Sequence, residues 1–368
     1  MKVSQWMSKM MSLPFEYGFV NERWTNSIDV MLEKKRGQRK IHMLRIIALV
    51  EADWNTALKI IFRKLIRNAE KVGLNDEQWG SRKDRMTLDP AMRNLMTFEY
   101  GRYMRVTIAM FAADLTACFD RMWKELGNLA SGKFGLEVAP MISRSKTIEK
   151  LKRSVRTGHG VSEQVYMEVD GEPRIIGELQ GKGDVALIYM LLSSTIFDAH
   201  ATMYNGLVLS PATPGPGIRK RNDGYVDDVN TWAGCMDIGS GATETTMYQL
   251  QKGSQTLTDL NETSGGSTAF HKCATQLLSW IATQDSLEID KDIEHYGIVL
   301  EDAAGAKSSI KQLMPHEANK GLGYHFAIDA SQDIDFEARM DKVSAICSGV
   351  NSTRLQCDEG LSLLKSRY

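Results

Sequence analysis

Apolar residues recur along this chain with two periods, which predict alternating strands and helices. Short apolar runs over 28–32 and 41–49 flank a basic segment, and Gly37 can turn the chain between them, so a two-stranded hairpin is predicted here. Residues 52–69 carry apolar side chains at helical spacing and predict a helix. The near-continuous apolar run over 105–113 is typical of a strand that is buried on both faces.

Turn-forming residues separate the remaining elements. Asp170-Gly171 predicts a hairpin turn between two short strands over 164–169 and 174–177. Further helices are predicted over 90–103, 119–133, 143–157, 184–203 and 243–262. The Met-rich residues 1–20 lack clear periodicity and indicate a loosely attached N-terminal arm. Strands and helices in this mixture predict an α+β fold.

The overall charge does not indicate a nucleic-acid-binding protein, but its distribution allows one. The 368 residues are 43% hydrophobic and can bury a large core divided into subdomains. The net charge is −1, so nucleic acid could bind only through segregated basic patches. Such patches occur over 34–45, 144–156 and 219–221, although a solvated surface explains each of them equally well.

Cysteine usage and hydropathy predict an intracellular protein, nuclear or cytoplasmic. The five cysteines are scattered and lack zinc-site spacing, which indicates reduced thiols. The N-terminus has no secretory signal pattern. The most apolar run, 185–197, is too short to span a bilayer and predicts a buried helix, so no membrane association is expected.

Adjacent carboxylates in an apolar setting are the strongest chemical signal. Asp227 and Asp228 follow Tyr225-Val226, and because neighbouring side chains on a strand face opposite ways, both can serve one site only if the chain turns sharply. Asp114 ends the apolar strand upstream, where an unpaired carboxylate is costly. The three aspartates together would suit two Mg²⁺ ions about 3.5–4 Å apart, with Mn²⁺ as an alternative. An acidic surface turn explains the Tyr225–Asp228 segment alone equally well.

Ordered segments around these aspartates resemble the palm motifs of the reverse transcriptase domain of retroelements. The motifs, in order, are 114–120, 177–181, 225–228, 263–266 with 271–273, and 322–324. Upstream, 34–35 and 44–47 resemble the fingers segment, and 78–82 resembles an element of the non-LTR type. The amino-acid sequence of these motifs is most similar to algal retroelement proteins. The resemblance covers residues 20 to 330.

The resemblance implies a right-hand polymerase, with an antiparallel palm sheet backed by helices, fingers and a partial thumb. The implied divisions are an N-terminal arm over 1–20, fingers over 21–104, a palm over 105–330 with inserted fingers-like helices at about 125–160, and the start of a thumb, truncated, over 331–368. The implied activity is RNA-directed DNA polymerisation, in which a primer is extended with dNTPs by two-metal phosphoryl transfer. The implied partners are an RNA template, a DNA primer or target, dNTPs, and a partner protein that supplies nuclease or thumb functions.

The resemblance also implies roles for individual residues. Asp114, Asp227 and Asp228 would be the catalytic and metal-binding residues. The dNTP would be bound by Lys34 or Lys35, Arg45, Leu115 through its carbonyl, Phe119 against the sugar, Gln180 and Lys272. Primer and template would contact Tyr225, Gly181, Lys150, Lys152 and Arg153, the last three from the basic helix predicted over 143–157.

Two other functions fit the same sequence. The nearest is an RNA-dependent RNA polymerase on the same palm, against which Phe119 argues because its ring would exclude a ribose 2′-hydroxyl. The other is a catalytically silent nucleic-acid-binding remnant of a mobile element. In the family a Pro often follows soon after the glycine at Gly181, whereas this chain has Lys182-Gly183-Asp184 there.

Overall fold

The chain folds as a mixture of helices and small sheets. A computed structural model describes residues 3–34, 37, 40, 44–116, 118–165, 168–169, 172–173, 177–210, 217–236, 241–321, 324–331 and 333–352. The helices are α1 (Val3–Tyr17), α2 (Ala52–Val72), α3 (Leu88–Met104), α4 (Cys118–Arg121), α5 (Lys124–Lys133), α6 (Val138–Glu149), α7 (Val185–Met203), α8 (Ala242–Thr263) and α9 (Asp333–Ser352). Short 3₁₀ helices lie at Glu22–Thr25, Phe270–Lys272 and Glu294–Tyr296.

The strands that form the two larger sheets and the small ribbons follow the same chain order. They are β1 (Asn26–Glu33), β2 (Leu44–Val50), β3 (Thr107–Asp114), β4 (Lys152–Thr157), β5 (Gly160–Val161), β6 (Glu168–Val169), β7 (Glu172–Pro173), β8 (Leu207–Leu209), β9 (Ile218–Lys220), β10 (Asn222–Tyr225), β11 (Asp228–Cys235), β12 (Ala274–Leu278), β13 (Trp280–Ala282), β14 (Leu287–Ile289), β15 (Val299–Glu301), β16 (Lys307–Ser309), β17 (Lys311–Leu313), β18 (Asn319–Gly321) and β19 (Tyr324–Phe326).

A five-stranded sheet in the order β10-β11-β3-β12-β17 forms the centre of the protein. Its pairs are antiparallel except β12–β17, which is parallel. Strand β3 is the middle strand and is buried on both faces, as its apolar run predicts. Phe111 packs in the larger apolar cluster with Leu250 of α8, whereas Ile108 and Met110 pack on the other face with Trp232. This double burial fixes the end of β3, where Asp114 lies.

A four-stranded sheet in the order β2-β1-β4-β5 lies nearer the N-terminus. The predicted hairpin of β1 and β2 is confirmed, with Ile28 opposite Leu49. The helix predicted over 143–157 is wrong in its second half, because α6 ends at Glu149 and the next residues form β4, parallel to β1. Helical propensity was overridden by the open edge of β1, against which Arg153 turns inward while Lys152 stays exposed.

Most of the other predicted elements are present. The helices predicted over 52–69, 90–103, 184–203 and 243–262 are confirmed, and the one over 119–133 is divided into α4 and α5. Strands β6 and β7 pair as a hairpin, while Asp170 and Gly171 lie outside the described residues. The boundaries of arm, fingers, palm and thumb stay predictions.

The N-terminal residues form a helix rather than an arm without secondary structure. Phe15 is buried, and its ring centroid lies 5.5 Å from that of Trp24. Trp6, Met7 and Met10 of the same helix are exposed. Apolar residues therefore lie on more of α1 than its buried face, which explains why no helical periodicity was visible in the sequence.

Helix α7 is the predicted buried helix. By length and composition alone Val185–Met203 could cross a membrane, but 56% of its most apolar window is buried inside the protein. Ile188, Leu191 and Phe197 belong to the interior of the larger apolar cluster. A helix that is apolar around most of its circumference is thus explained by packing on several sides.

The close contact between β10 and α7 gives a testable prediction. A Cβ atom at Gly224 would lie 2.5 Å from Cζ of Phe197, a ring that is itself fully buried and has no room to move. Gly224→Ala should lower the free energy of unfolding by about 1–3 kcal/mol in urea denaturation. The matched control is Gly297→Ala, because φ is −60° there and no atom lies within 4 Å of the added Cβ. The control should be neutral or slightly stabilising, and equal losses for both variants would contradict the packing argument.

Candidate active site

The Tyr225–Asp228 segment is a two-residue hairpin turn. Tyr225 pairs with Asp228 at the end of β10 and β11, which leaves Val226 and Asp227 in the turn. Val226 has a φ of 60°. A β-branched residue is rare in this left-handed region, and the conformation costs on the order of 1–3 kcal/mol. The surrounding structure must therefore hold the turn in place.

The segment over 77–80 provides part of that support. The N–H of Trp79 donates to the carbonyl of Gly224 at 2.8 Å, and the N–H of Gly224 donates to the carbonyl of Glu77 at 2.8 Å. A Cβ at Gly80 would lie 2.6 Å from the nitrogen of Val226, so only glycine allows this approach. The Gln78–Arg82 motif recognised in the sequence thus contacts the hairpin directly.

A buried ion pair supports the hairpin from below. Lys220 is buried, and its Nζ lies 2.7 Å from Oδ2 of Asp223 and 2.8 Å from Oγ1 of Thr97 in α3. Burial lowers the pKa of Lys220 to about 8, although Asp223 acts in the opposite direction. The indole N–H of Trp232 also donates to Asp223, at 3.1 Å. The expectation that residues 219–221 form a surface patch is therefore wrong for Lys220, which instead joins β10 to α3.

Asp114 and Asp228 lie directly opposite each other on β3 and β11. Both line a cavity of about 70 Å³, together with Lys272 and Asn230. The Nζ of Lys272 lies 3.1 Å from Oδ1 of Asp114, and both side chains are about half exposed. The resemblance implies that Lys272 binds the dNTP, and the structure places its charge beside the Asp114 carboxylate.

Asp227 lies in the exposed turn beside this pair. Burial raises the pKa of the Cys118 thiol, and the negative charges of Asp227 and Asp114 raise it further. Both carboxylates therefore lie close enough to the Cys118 thiol to act on it. That Asp227 and Asp114 share a metal ion stays a prediction.

The oxygen atoms near this cavity suit Mg²⁺ in chemistry. Leu115 pairs with Thr268 in an isolated bridge whose hydrogen bonds use the Asp114 carbonyl and the Thr116 N–H, so they do not use the Leu115 carbonyl. Within the described part of the chain, no group of three or more His, Cys, Asp or Glu side chains is arranged to hold a metal. Mg²⁺ is commonly held by only one or two protein carboxylates together with substrate phosphates, and the Asp114–Asp228 pair matches that pattern.

The loop that carries Gln180 and Gly181 is held against the edge of β2. The N–H of Ala48 donates to the carbonyl of Gln180 at 2.8 Å. Gly181 has a φ of +109°, and a Cβ there would lie 2.7 Å from the carbonyl oxygen of Ala48. The backbone at Gly181 therefore approaches β2 closely. That Gly181 contacts primer and template stays a prediction.

Phe119 lies next to this loop. Its carbonyl accepts a hydrogen bond of 2.8 Å from the N–H of Glu178, and its half-buried ring meets Tyr189 edge-on, with centroids 5.5 Å apart. Lys34 and Arg45 are exposed on the nearby hairpin. Lys35 lies outside the described residues. The exposed part of the Phe119 ring leaves a surface that a sugar could contact.

The three cations predicted to bind primer and template do not share a helical face. Lys150 and Lys152 are exposed, but Arg153 is buried, with NH2 2.5 Å from Oδ2 of Asp29. Arg144, at the start of the same predicted basic helix, is fully buried as well. The prediction of a single basic groove-lining helix is therefore wrong, because tertiary ion pairs turn two of its arginines inward.

A buried cluster of four charges, which the sequence analysis did not identify, lies beneath the Gln180 loop. We call it the ionic quartet, and it consists of Arg144, Glu178, Lys182 and Asp184. Burial alone would raise the pKa of Glu178, but the charges of Arg144 and Lys182 lower it from the usual 4.5 to about 2. Glu178 and Lys182 are four residues apart but lie in a loop, so the helical spacing rule could not have predicted their contact.

Comparison with other proteins gives only distant matches. No protein-family model matches the chain, and no curated protein sequence matches it. Solved structures similar to it include apo telomerase from Candida tropicalis, with 11% identity and a TM-score of 0.46 over 83% of this chain and 48% of that one. Telomerase from Candida albicans with a TWJ fragment of telomeric RNA gives 10% identity and a TM-score of 0.44 over 78% and 47%. The chain spans about half the length of these structures, and TM-scores below 0.5 are too low to assign function. The specific likeness to non-LTR retroelement proteins has no support among these comparisons.

The ionic quartet makes stability depend on pH in acid. Because the folded state lowers the pKa of Glu178, its contribution to stability is complete above about pH 4.5 and is lost as the pH falls towards 2. The difference in free energy of unfolding between the parent and Glu178→Gln should therefore be largest above pH 4.5 and shrink below it. Urea denaturation at several pH values measures this, with the exposed Glu288→Gln as control. A difference that does not change between pH 5 and 2.5 would contradict the charge assignment.

Proposed function

We propose that the chain is an RNA-directed DNA polymerase that extends a primer with dNTPs. The observation that carries this proposal is the placement of Asp114 directly opposite Asp228 on adjacent strands, beside a strained turn that presents Asp227. A surface turn without a function would need neither the strain at Val226 nor the buried support beneath it. The order of the surrounding motifs in the sequence points to the same reaction.

Mg²⁺ would be held by Asp114 and Asp228, with Asp227 and the Leu115 carbonyl as the candidates for further ligands. Bound there, the metal would favour ionisation of the primer 3′-hydroxyl and neutralise charge on the triphosphate. The hydroxyl oxygen then attacks the α-phosphorus, and the bond from that phosphorus to the pyrophosphate oxygen breaks. Lys272 would move from Asp114 to the pyrophosphate and donate its proton there.

The other residues would bind and select the nucleotide. Arg45 and Lys34 are exposed cations on the hairpin that faces the loop, and they would hold the triphosphate. Phe119 would pack beneath the sugar, and Gln180 would contact the nascent base pair. Template and primer phosphates would be bound by exposed cations such as Lys150 and Lys152, because the buried Arg153 is already paired.

Removing the carboxylates tests the proposed reaction. Asp114→Asn and Asp227→Asn should each reduce primer extension on an RNA template by at least about 10²-fold, the scale of one lost electrostatic contact to a transition state. The matched control, Asp285→Asn, changes an exposed aspartate in the 283–286 turn and should keep full activity. Folding of each variant is checked by urea denaturation. Extension within twofold of the parent in a folded Asp114→Asn variant would refute the polymerase assignment.

Phe119 should decide between deoxynucleotides and ribonucleotides. Phe119→Val removes the ring that would meet a 2′-hydroxyl, so incorporation of ribonucleotides relative to deoxynucleotides should rise by about 10–200-fold, the range available to one steric contact. Single-nucleotide extension with each substrate measures the ratio. An unchanged ratio in an active variant would mean that Phe119 only packs against Tyr189. A parent enzyme that prefers ribonucleotides would instead support an RNA polymerase.

A further inference from the structure

The loop over 178–184 should be mobile on the basis of its sequence, yet it is held closely on both sides. It contains Gly181 and Gly183 and no proline, so its unfolded conformations are numerous. A Cβ at Gly183 would lie 2.4 Å from Cγ of Lys59 in α2. The N–H of Gly183 also donates to Oδ1 of Asn55 at 2.6 Å. The loop therefore contacts β2 through Gln180 and α2 through Gly183.

The ionic quartet lies at the base of this loop. Lys182 Nζ is 2.7 Å from Glu178 Oε2 and 3.5 Å from Asp184 Oδ1. Arg144 Nε is 2.7 Å from Asp184 Oδ2, and its NH2 contacts Glu178 Oε1. All four side chains are fully buried. Each carboxylate is therefore shared by both cations, and three of the four residues belong to the loop or its ends.

Stability alone is a poor explanation for this arrangement. Buried ion pairs lose their hydration, and well-packed apolar residues of similar size often stabilise a protein as much or more. What a closed ring of four charges does provide is a single geometry, because any shift of the loop leaves a buried charge without its partner. The cluster thus fixes conformation at a site where glycines would otherwise permit movement.

We propose that the ionic quartet is a positioning device that fixes Gln180 and Gly181 against the edge of β2. Arg144 and Lys182 are positioning residues that act through the loop backbone and do not touch substrate. The consequence for catalysis rests on the proposed function: the quartet would set the pocket for the incoming nucleotide and its base pair. Template–primer affinity would be independent of it, because the quartet is buried away from any surface that nucleic acid could reach.

Hydrogen–deuterium exchange of the backbone amides tests the device without reference to activity. Lys182→Met should raise the exchange rates of the Ala48 and Gly183 amides by at least about tenfold, the equivalent of one lost hydrogen bond. Amides in α8 should not change. The stability control is Leu300→Ala, which removes a fully buried side chain of β15 and should lower stability without affecting the two loop amides selectively. Unchanged exchange at Ala48 and Gly183 in folded Lys182→Met would overturn the proposal.

A second pair of variants loosens the loop without touching the quartet, in case Lys182→Met does not fold. Asn55→Ala removes the acceptor for the Gly183 N–H, whereas Asn55→Asp keeps an oxygen in the same position. Asn55→Ala should raise exchange at Gly183, whereas the intact quartet should keep the Ala48 amide at the parent rate, and Asn55→Asp should restore the parent rate at Gly183. A rise at Ala48 as large as that at Gly183 would show that Asn55, and not the quartet, holds the loop against β2, which also overturns the proposal.

Kinetics then connect the device with the proposed function. In Lys182→Met, KM for the incoming dNTP should rise about tenfold, while the Kd for template–primer stays at the parent value, as does the KM of Asn55→Ala and of Leu300→Ala. Equal increases in the KM for dNTP and the Kd for template–primer would indicate a general structural defect and overturn the catalytic role. A parent protein without polymerase activity would refute the proposed function, and the exchange rates would still decide whether the quartet fixes the loop.

Discussion

Two carboxylates held directly opposite each other on adjacent strands repel, and their neighbours must counteract that repulsion. Asp114 and Asp228 occupy such positions, and like charges across a strand pair are destabilising. Lys272 neutralises one of them from the solvent side. The remaining repulsion does not separate the two carboxylates, because β3 is buried on both faces and its end cannot move away.

Buried polar groups support the Tyr225–Asp228 hairpin and the Gln180 loop in different ways. Beneath the hairpin, Asp223 of β10 pairs with Lys220 and with Arg93 of α3, and Lys220 also donates to Thr97 of α3. Beneath the Gln180 loop, charges are shared within a closed ring. Val226 in the hairpin has a left-handed backbone conformation, which a valine disfavours. The buried ion pairs therefore hold the hairpin in a conformation that it would otherwise leave. The Gln180 loop contains glycines, which allow many backbone conformations. The ionic quartet therefore restricts the loop to one of them.

The sequence allowed accurate prediction where structure is local. The β1–β2 hairpin, the apolar strand that ends at Asp114, and the helices α2, α3, α7 and α8 follow from periodicity and turn residues, and so does the placement of two aspartates at one sheet end. The predictions failed where contacts between residues far apart in the sequence determine the structure. Residues 152–157 form a strand because β1 has an open edge with which they pair. Helix α1 was not predicted because its apolar residues are not confined to its buried face.

The cations show the same limit at the level of side chains. Arg144, Arg153 and Lys220 each stand in a basic run that would suit a solvated surface, yet each is buried against carboxylates far away or on the next strand. No property of a basic run distinguishes an arginine that meets solvent from one that meets Asp29 on the neighbouring strand. Such pairings emerge only from the packed structure.

The parallel pairing of β1 with β4 has a consequence for how the protein is made. Strand β1 ends at Glu33, but its second neighbour begins at Lys152, so the four-stranded sheet cannot close until the intervening β3 and α2 to α6 have left the ribosome. Until then one edge of β1 stays open, and an open strand edge can pair with another chain. During synthesis of the next roughly 120 residues, the open edge of β1 is therefore a defined segment that chaperones can protect.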